Sequence, residues 1–242
     1  MRNISMTSEF IILIATAASV ALLHTLTGPD HYLPFIVISK ARNWKMKKTI
    51  WFTALCGAGH VGSSVLLGLI GIALGIAIEK IELVEGVRGS IITYLFTAFG
   101  LIYMIWGLRK AYKNKPHRHL HFHGKESFHE HEHTHQKEHV HFHENTKKAN
   151  ITPWILFTIF IFGPCEPLIP IVMYPAARHN YLEMIIVTGI FSLITVTTMV
   201  VLVTAASYGF KFLPMKRIER YSHALAGGTI FACGLGMLFL GL

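Results

Sequence analysis

Apolar residues fall in six long runs joined by mostly short polar connections. The runs cover Phe10–Ile38, Ile50–Ile78, Ser90–Leu108, Thr152–Tyr174, Leu182–Ala206 and Ser222–Leu242. Crossing a bilayer takes about 20 apolar residues of helix. Lipid tolerates only structures that satisfy their own backbone. The pattern predicts an all-α integral membrane protein with six transmembrane helices. The first run follows Arg2, as the apolar part of a signal peptide would. No small-residue cleavage site with a polar exit follows it, so it reads as the first transmembrane helix. Gly28-Pro29 breaks the first span and Gly163-Pro164 breaks the fourth, because proline lacks the N–H that a helix interior needs. Gly71 and Gly75 form a small-xxx-small pair that predicts close helix contact on the second span.

The two broken spans resemble each other. Gly28-Pro-Asp-His-Tyr-Leu-Pro-Phe-Ile-Val37 aligns without a gap on Gly163-Pro-Cys-Glu-Pro-Leu-Ile-Pro-Ile-Val172. Asp30 then matches Cys165, and His31 matches Glu166. The copies start three spans apart, so they cross in opposite directions. That is the layout of a 3+3 inverted repeat, whose interface holds the substrate site in many secondary transporters. The chain divides into residues 1–108, a first three-helix repeat, and 151–242, a second. A polar insertion over 109–150 lies between them.

The composition agrees with a membrane protein: 52% hydrophobic, 14% charged, mean hydropathy +0.47. A formal charge of +9 invites a nucleic-acid partner. The basic residues instead collect in connections: Lys40, Arg42, Lys45, Lys47 and Lys48 after the first span, and Lys211, Lys216, Arg217 and Arg220 after the fifth. The connection after the second span mixes Glu79, Lys80, Glu82, Glu85 and Arg88. Positive charge marks the cytoplasmic side. A multi-pass protein of the cell (inner) membrane follows, with both termini outside and the insertion cytoplasmic. Its partners are the lipid bilayer and divalent metal ions, not nucleic acid. The sequence specifies no oligomeric state.

Ionisable groups inside a membrane mark binding sites or pathways by default. His24, Asp30 and His31 lie within eight residues of the first span. On an unbroken helix the two histidines would share a face about 10 Å apart along the axis, too far for one ion. The Gly-Pro break lets them meet. His60 on the second span is a third imidazole, with Ser63 and Ser64 one turn on. Cys165 and Glu166 stand at the second break. Glu166 reads as a ligand or as the proton carrier. Cys165 reads as a soft ligand or as a packing residue. Cys56, Cys165 and Cys233 all lie in apolar runs, and an odd number there is not a disulfide framework. Cys56 and Cys233 read as small buried hydrophobes. His179 and His223 fall near span ends and read as interfacial. Thr188, Ser192, Thr195, Thr197 and Thr198 read mostly as ordinary membrane-helix hydroxyls, with Ser192 and Thr195 as candidates to line a path.

The insertion holds His117, His119, His121, His123, His129, His131, His133, His135, His139, His141 and His143, interleaved with Glu130, Glu132, Glu138 and Glu144. Such a segment lacks apolar area and is predicted to carry no fixed structure. Its composition points to metal capture.

These motifs resemble the nickel/cobalt transporter family, especially its efflux-type and urease-accessory-like membrane branch. The resemblance rests on His24…Asp30-His31, on Gly59-His60 followed by Ser63-Ser64, and on the His-rich segment between the two halves. It implies transport of Ni²⁺ or Co²⁺. Five residues separate His24 from Asp30, where the importer branch typically has four, and that branch usually has eight spans. The fourth span is similar to something else. Phe162-Gly-Pro-Cys-Glu-Pro resembles the Pro-Cys helix of the cytochrome c biogenesis membrane thiol carriers. Those proteins use a cysteine in each half, and here the partner position is Asp30.

The expected function is proton-linked transport of a divalent transition-metal cation, Ni²⁺ or Co²⁺ first and Zn²⁺ next, with export ahead of import. The metal is the transported ion, and no cofactor is expected. The alternatives are a membrane thiol-disulfide electron carrier and a metal-receptor partner of a metalloenzyme. No nucleophile–base–orienter arrangement appears, so no enzyme is expected.

Overall fold

The computed structural model describes residues 8–113, 117–123, 127–133, 151–209 and 219–240. Apart from one ribbon the described chain is helical. Its helices are α1 (Ser8–Thr27), α2 (Leu33–Ala41), α3 (Met46–Ala73), α4 (Ile78–Lys113), α5 (Ile151–Phe162), α6 (Leu168–Ala177), α7 (Tyr181–Gly209) and α8 (Ser222–Leu240). Short 3₁₀ turns cover Pro29–His31 and Glu219–Tyr221. Five helices, α1, α3, α4, α7 and α8, are long and apolar enough to cross a membrane. The chain is a multi-pass membrane protein.

Where the sequence predicts a further crossing there is no single long helix but two shorter apolar ones, α5 and α6, of 12 and 10 residues, on either side of the Gly163-Pro164 break. The first span breaks where the sequence predicts. The Gly28 amide closes the last α1 bond on the His24 carbonyl at 3.0 Å. Pro29 has no N–H to continue the ladder.

The connection after the second span is a correction. Glu79, Lys80, Glu82, Glu85 and Arg88 do not form a loop but occupy the first three turns of α4. Ile81, Glu85, Gly89 and Ile92 are buried at spacings of four, four and three, a helical stripe that holds these turns against the protein. At 1.5 Å per residue α4 runs about 54 Å, well beyond the bilayer core. The Gly71/Gly75 pair is also corrected. Gly75 lies beyond α3 with φ +64°, and Ile81 covers Gly71.

Close helix contact occurs instead between α4 and α8, the most extensively packed pair. A Cβ on Gly100 or Gly107 would strike the backbone at Phe231 or Ala224, and one on Gly227 the backbone of Met104. A Cβ on Gly228 would meet only the Met104 sulfur at 3.5 Å, an ordinary contact. Gly227→Ala is therefore expected to cost about 1–3 kcal/mol of overpacking. Gly228→Ala, with room for its Cβ in a helix interior, is expected to stabilise by up to about 1 kcal/mol. Thermal unfolding of the two purified variants in detergent measures the contrast.

Several other contacts follow an exchange of halves. Helix α1 packs on α7 while α5 packs on α3; α2 packs mainly on α8, and α6 mainly on α7 and α3. Cys56 belongs to one buried apolar cluster, with Phe35, Phe96 and Ile230; Cys165 belongs to another, with Ala17, Leu168 and Phe191.

In the insertion, β1 (His117–His123) and β2 (Ser127–His133) pair antiparallel, with His117 opposite His133, His119 opposite His131 and His121 opposite His129. The sequence reading of no fixed structure concerns the whole insertion, of which these two strands and the end of α4 are the described part. His135, His139, His141 and His143 lie outside the described residues, as do Lys211, Lys216 and Arg217.

Candidate metal centre

The break in the first span builds one wall. After α1 ends at Thr27, Gly28 turns extended (φ −87°, ψ 92°) and Pro29–His31 forms the 3₁₀ turn. The turn folds His31 back against His24, with ring centroids 4.6 Å apart. His60 approaches from mid-α3, its ring 5.1 Å from His31 and 6.4 Å from His24. Cys165 comes from the other break, with Sγ 3.9 Å from His24 Nε2. One ligand atom each from His24, His60 and Cys165 lies within 4.8 Å of the others. Ligand atoms around a tetrahedral ion with bonds of 2.0–2.3 Å sit about 3.3–3.8 Å apart. The atoms stand about an ångström wider than the ligands of such an ion.

The hydrogen bonds define which nitrogens are free. His31 Nδ1 lies 3.1 Å from the Gly28 carbonyl and 3.2 Å from Asp30 Oδ1. Both are acceptors, so Nδ1 carries the proton and donates. Among the described residues, Nε2 of His31 is buried without a hydrogen-bond partner, and so is Nε2 of His60. A histidine whose second nitrogen is held by a carboxylate or carbonyl is arranged as a metal ligand is. The Phe160 backbone hydrogen-bonds His60. His31 and His60 are only 3% and 4% exposed and Cys165 is fully buried. Leaving such polar atoms unmatched is costly, and a cation would match them.

A cavity of about 510 Å³ opens on this set, lined by His24, Asp30, His31, His60 and Glu166 among others. Five of the six sequence candidates line this cavity, and the sixth, Cys165, meets His24 beside it. Glu166 lines the cavity but stands apart from the converging atoms. It shares a smaller cavity of about 250 Å³ with Glu82 and Glu85. Thr188 and Ser192 line a separate groove, against α3. His223 bonds Tyr103 Oη at 2.9 Å, away from the cavity, and His179 adopts φ 56° just past α6.

Behind these residues lies a charged pair that the sequence reading assigns to a connection. Arg88 Nη2 pairs with Glu85 Oε2 at 2.8 Å. It also donates to Ser64 Oγ at 2.8 Å and to the Gly163 carbonyl at 3.2 Å. Ser64 Oγ accepts the Cys165 amide at 3.0 Å. Arg88 therefore ties α4 and α3 to the residues that present Cys165. The signal was the Glu85-x-x-Arg88 spacing between Ile81 and Ile92, which places a charged pair on an apolar helix face.

The family described as the cytochrome c biogenesis protein transmembrane region matches residues 33–236. The chain belongs to that family. No curated protein and no solved structure matches it. This is the family that the helix around Cys165 resembles, rather than the nickel/cobalt transporters that the His24–His31 motif resembles. For this cytochrome c biogenesis family member the matched stretch begins at Leu33. His60, Cys165 and Glu166 fall inside it, and His24, Asp30 and His31 precede it.

Proposed function

We propose that the chain carries a divalent transition-metal cation across the membrane, holding it in passage among His24, His31, His60 and Cys165. The convergence of the His24 and His60 imidazoles with the Cys165 thiol, with the His31 ring against both histidines and two ring nitrogens buried without a partner among the described residues, carries this reading. Imidazole with carboxylate suits Ni²⁺ and Co²⁺, and a thiolate extends the set towards Zn²⁺. Asp30 orients His31 and offsets the ion's charge. Protons compete for the same donors, so transport is proton-linked and weakens as pH falls, with Glu166 as the proton carrier. The histidines of residues 117–143 gather the ion on the cytoplasmic side before export. The matching contacts of α1 with α7 and of α5 with α3 support an inverted repeat around the site.

Reconstituted vesicles holding a metal-sensitive dye test the proposal. Flux of Ni²⁺ or Co²⁺ is expected with the full chain. His24→Ala and Asp30→Ala are expected to reduce it to the level of protein-free vesicles. Wild-type rates in both variants would remove the site from the pathway.

Family membership favours a second reading, a membrane thiol-disulfide carrier working through Cys165. It requires a second thiol, for which Cys56 is the candidate. All three cysteines are free thiols in this structure, and Cys56 packs in a different cluster from Cys165. Alkylation trapping in membranes separates the readings. For a metal carrier both thiols are expected to alkylate under oxidising and reducing conditions alike. A Cys56–Cys165 disulfide that cycles with reductant would establish the thiol carrier.

A further inference from the structure

All four tryptophans of the chain, Trp44, Trp51, Trp106 and Trp154, lie at one end of the bundle. They sit after α2, near the start of α3, near the end of α4 and at the start of α5. Rings connect several of them: Phe52 is 5.3 Å from Trp44, 5.1 Å from Trp51 and 6.0 Å from Trp154. Tryptophan belts mark the membrane–water interface. Cations share this end. Lys48 lies 4.8 Å over Trp44, and Lys110 lies 5.3 Å over Trp106. Asp and Glu are absent between Asp30 and Glu79, and again between Glu85 and Glu126.

Here a groove of about 740 Å³ runs between α4 and α5. Leu95, Ile102 and Trp106 form one wall, and Trp154 and Ile155 the other. Leu95 to Trp106 spans about 16 Å of helix, close to the ~15 Å depth of one leaflet. Arg42 closes the polar end. It caps α2, donates to Thr152 Oγ1 and lies 6.0 Å over the Tyr103 ring. A guanidinium presents a planar fork of donors matched to phosphate oxygens. An apolar slot of leaflet depth with an arginine at its interfacial end has the chemistry of a phospholipid. The excess of positive charge selects an anionic one.

We propose that an anionic phospholipid occupies this groove, its phosphodiester on Arg42 and an acyl chain along α4 and α5. The test uses the full chain in phosphatidylcholine vesicles doped with a minor fraction of lipid brominated on its acyl chains, and reads tryptophan fluorescence. Brominated phosphatidylglycerol is expected to quench at least about twofold more than brominated phosphatidylcholine. Arg42→Gln is expected to abolish that preference, and Lys47→Gln to keep it. Ala98→Phe, on the exposed groove wall, is expected to lower quenching by brominated phosphatidylglycerol, and it decides alone if Arg42→Gln fails to fold. Equal quenching by the two lipids in the unmodified chain would overturn the proposal, as would a preference that survives Arg42→Gln and Ala98→Phe. A second copy of the chain in the groove would shield the tryptophans from both lipids alike, which also overturns it.

Discussion

His60→Ala is expected to weaken Co²⁺ binding about 100-fold, the upper end of what even outer-shell changes do to metal sites. His60 presents a buried Nε2 with no hydrogen-bond partner among the described residues, 5.1 Å ring to ring from His31. Its loss leaves only His24 and Cys165 of the three residues whose ligand atoms converge, with His31 beside them, and opens the cavity to water. Titration is best read on a chain lacking residues 118–143, so that the histidine-rich insertion does not mask the membrane site. Cys165→Ser keeps a donor at the same place but removes the sulfur. It is expected to abolish sulfur-to-cobalt charge-transfer absorption while leaving measurable binding. If His60→Ala binds as tightly as the parent chain, His60 is not a ligand.

The second large effect concerns the pair behind the site. Arg88→Leu leaves the Glu85 carboxylate, 1% exposed, without its counter-charge. Breaking a buried pair from one side costs about 3–5 kcal/mol. Arg88 retains 19% exposure, so the lower end of that range is expected. The double variant Glu85→Leu/Arg88→Leu removes both charges and is expected to recover most of the loss. A double-mutant cycle on thermal unfolding in detergent measures the coupling. Single-variant losses that simply add would show that Glu85 and Arg88 do not act as a pair. Arg88 also holds the Gly163 carbonyl and the Ser64 hydroxyl, so the single variant is expected to loosen the seat of Cys165 as well.

The broken spans and the imidazole set were legible because their signals are local. Proline's missing N–H fixes a break at Gly28-Pro29 whatever surrounds it. Histidines at membrane depth stand out against hydrocarbon. That Cys165 meets His24 is a contact across 141 residues, and only the alignment of the two Gly-Pro motifs hinted at it. Glu85 and Arg88 were misread because charge density suggested a loop. The buried stripe from Ile81 to Ile92 that keeps them helical depends on packing partners distant in sequence. The α4–α8 seam escaped for a similar reason. Glycines seven apart, Gly100 with Gly107 and Gly227 with Gly234, show close approach only once both helices are in place. The family match favours thiol chemistry through Cys165, whereas the histidines around it favour a cation.

These alternatives meet at one set of atoms. The most direct measurement is an anomalous-scattering map from crystals of the full chain grown with Co²⁺. The expected result is a peak in the membrane cavity, about 2.0–2.4 Å from nitrogens of His24 and His60 and from the sulfur of Cys165. A map whose only peaks fall along residues 117–143, with none between the two helix breaks, would contradict it.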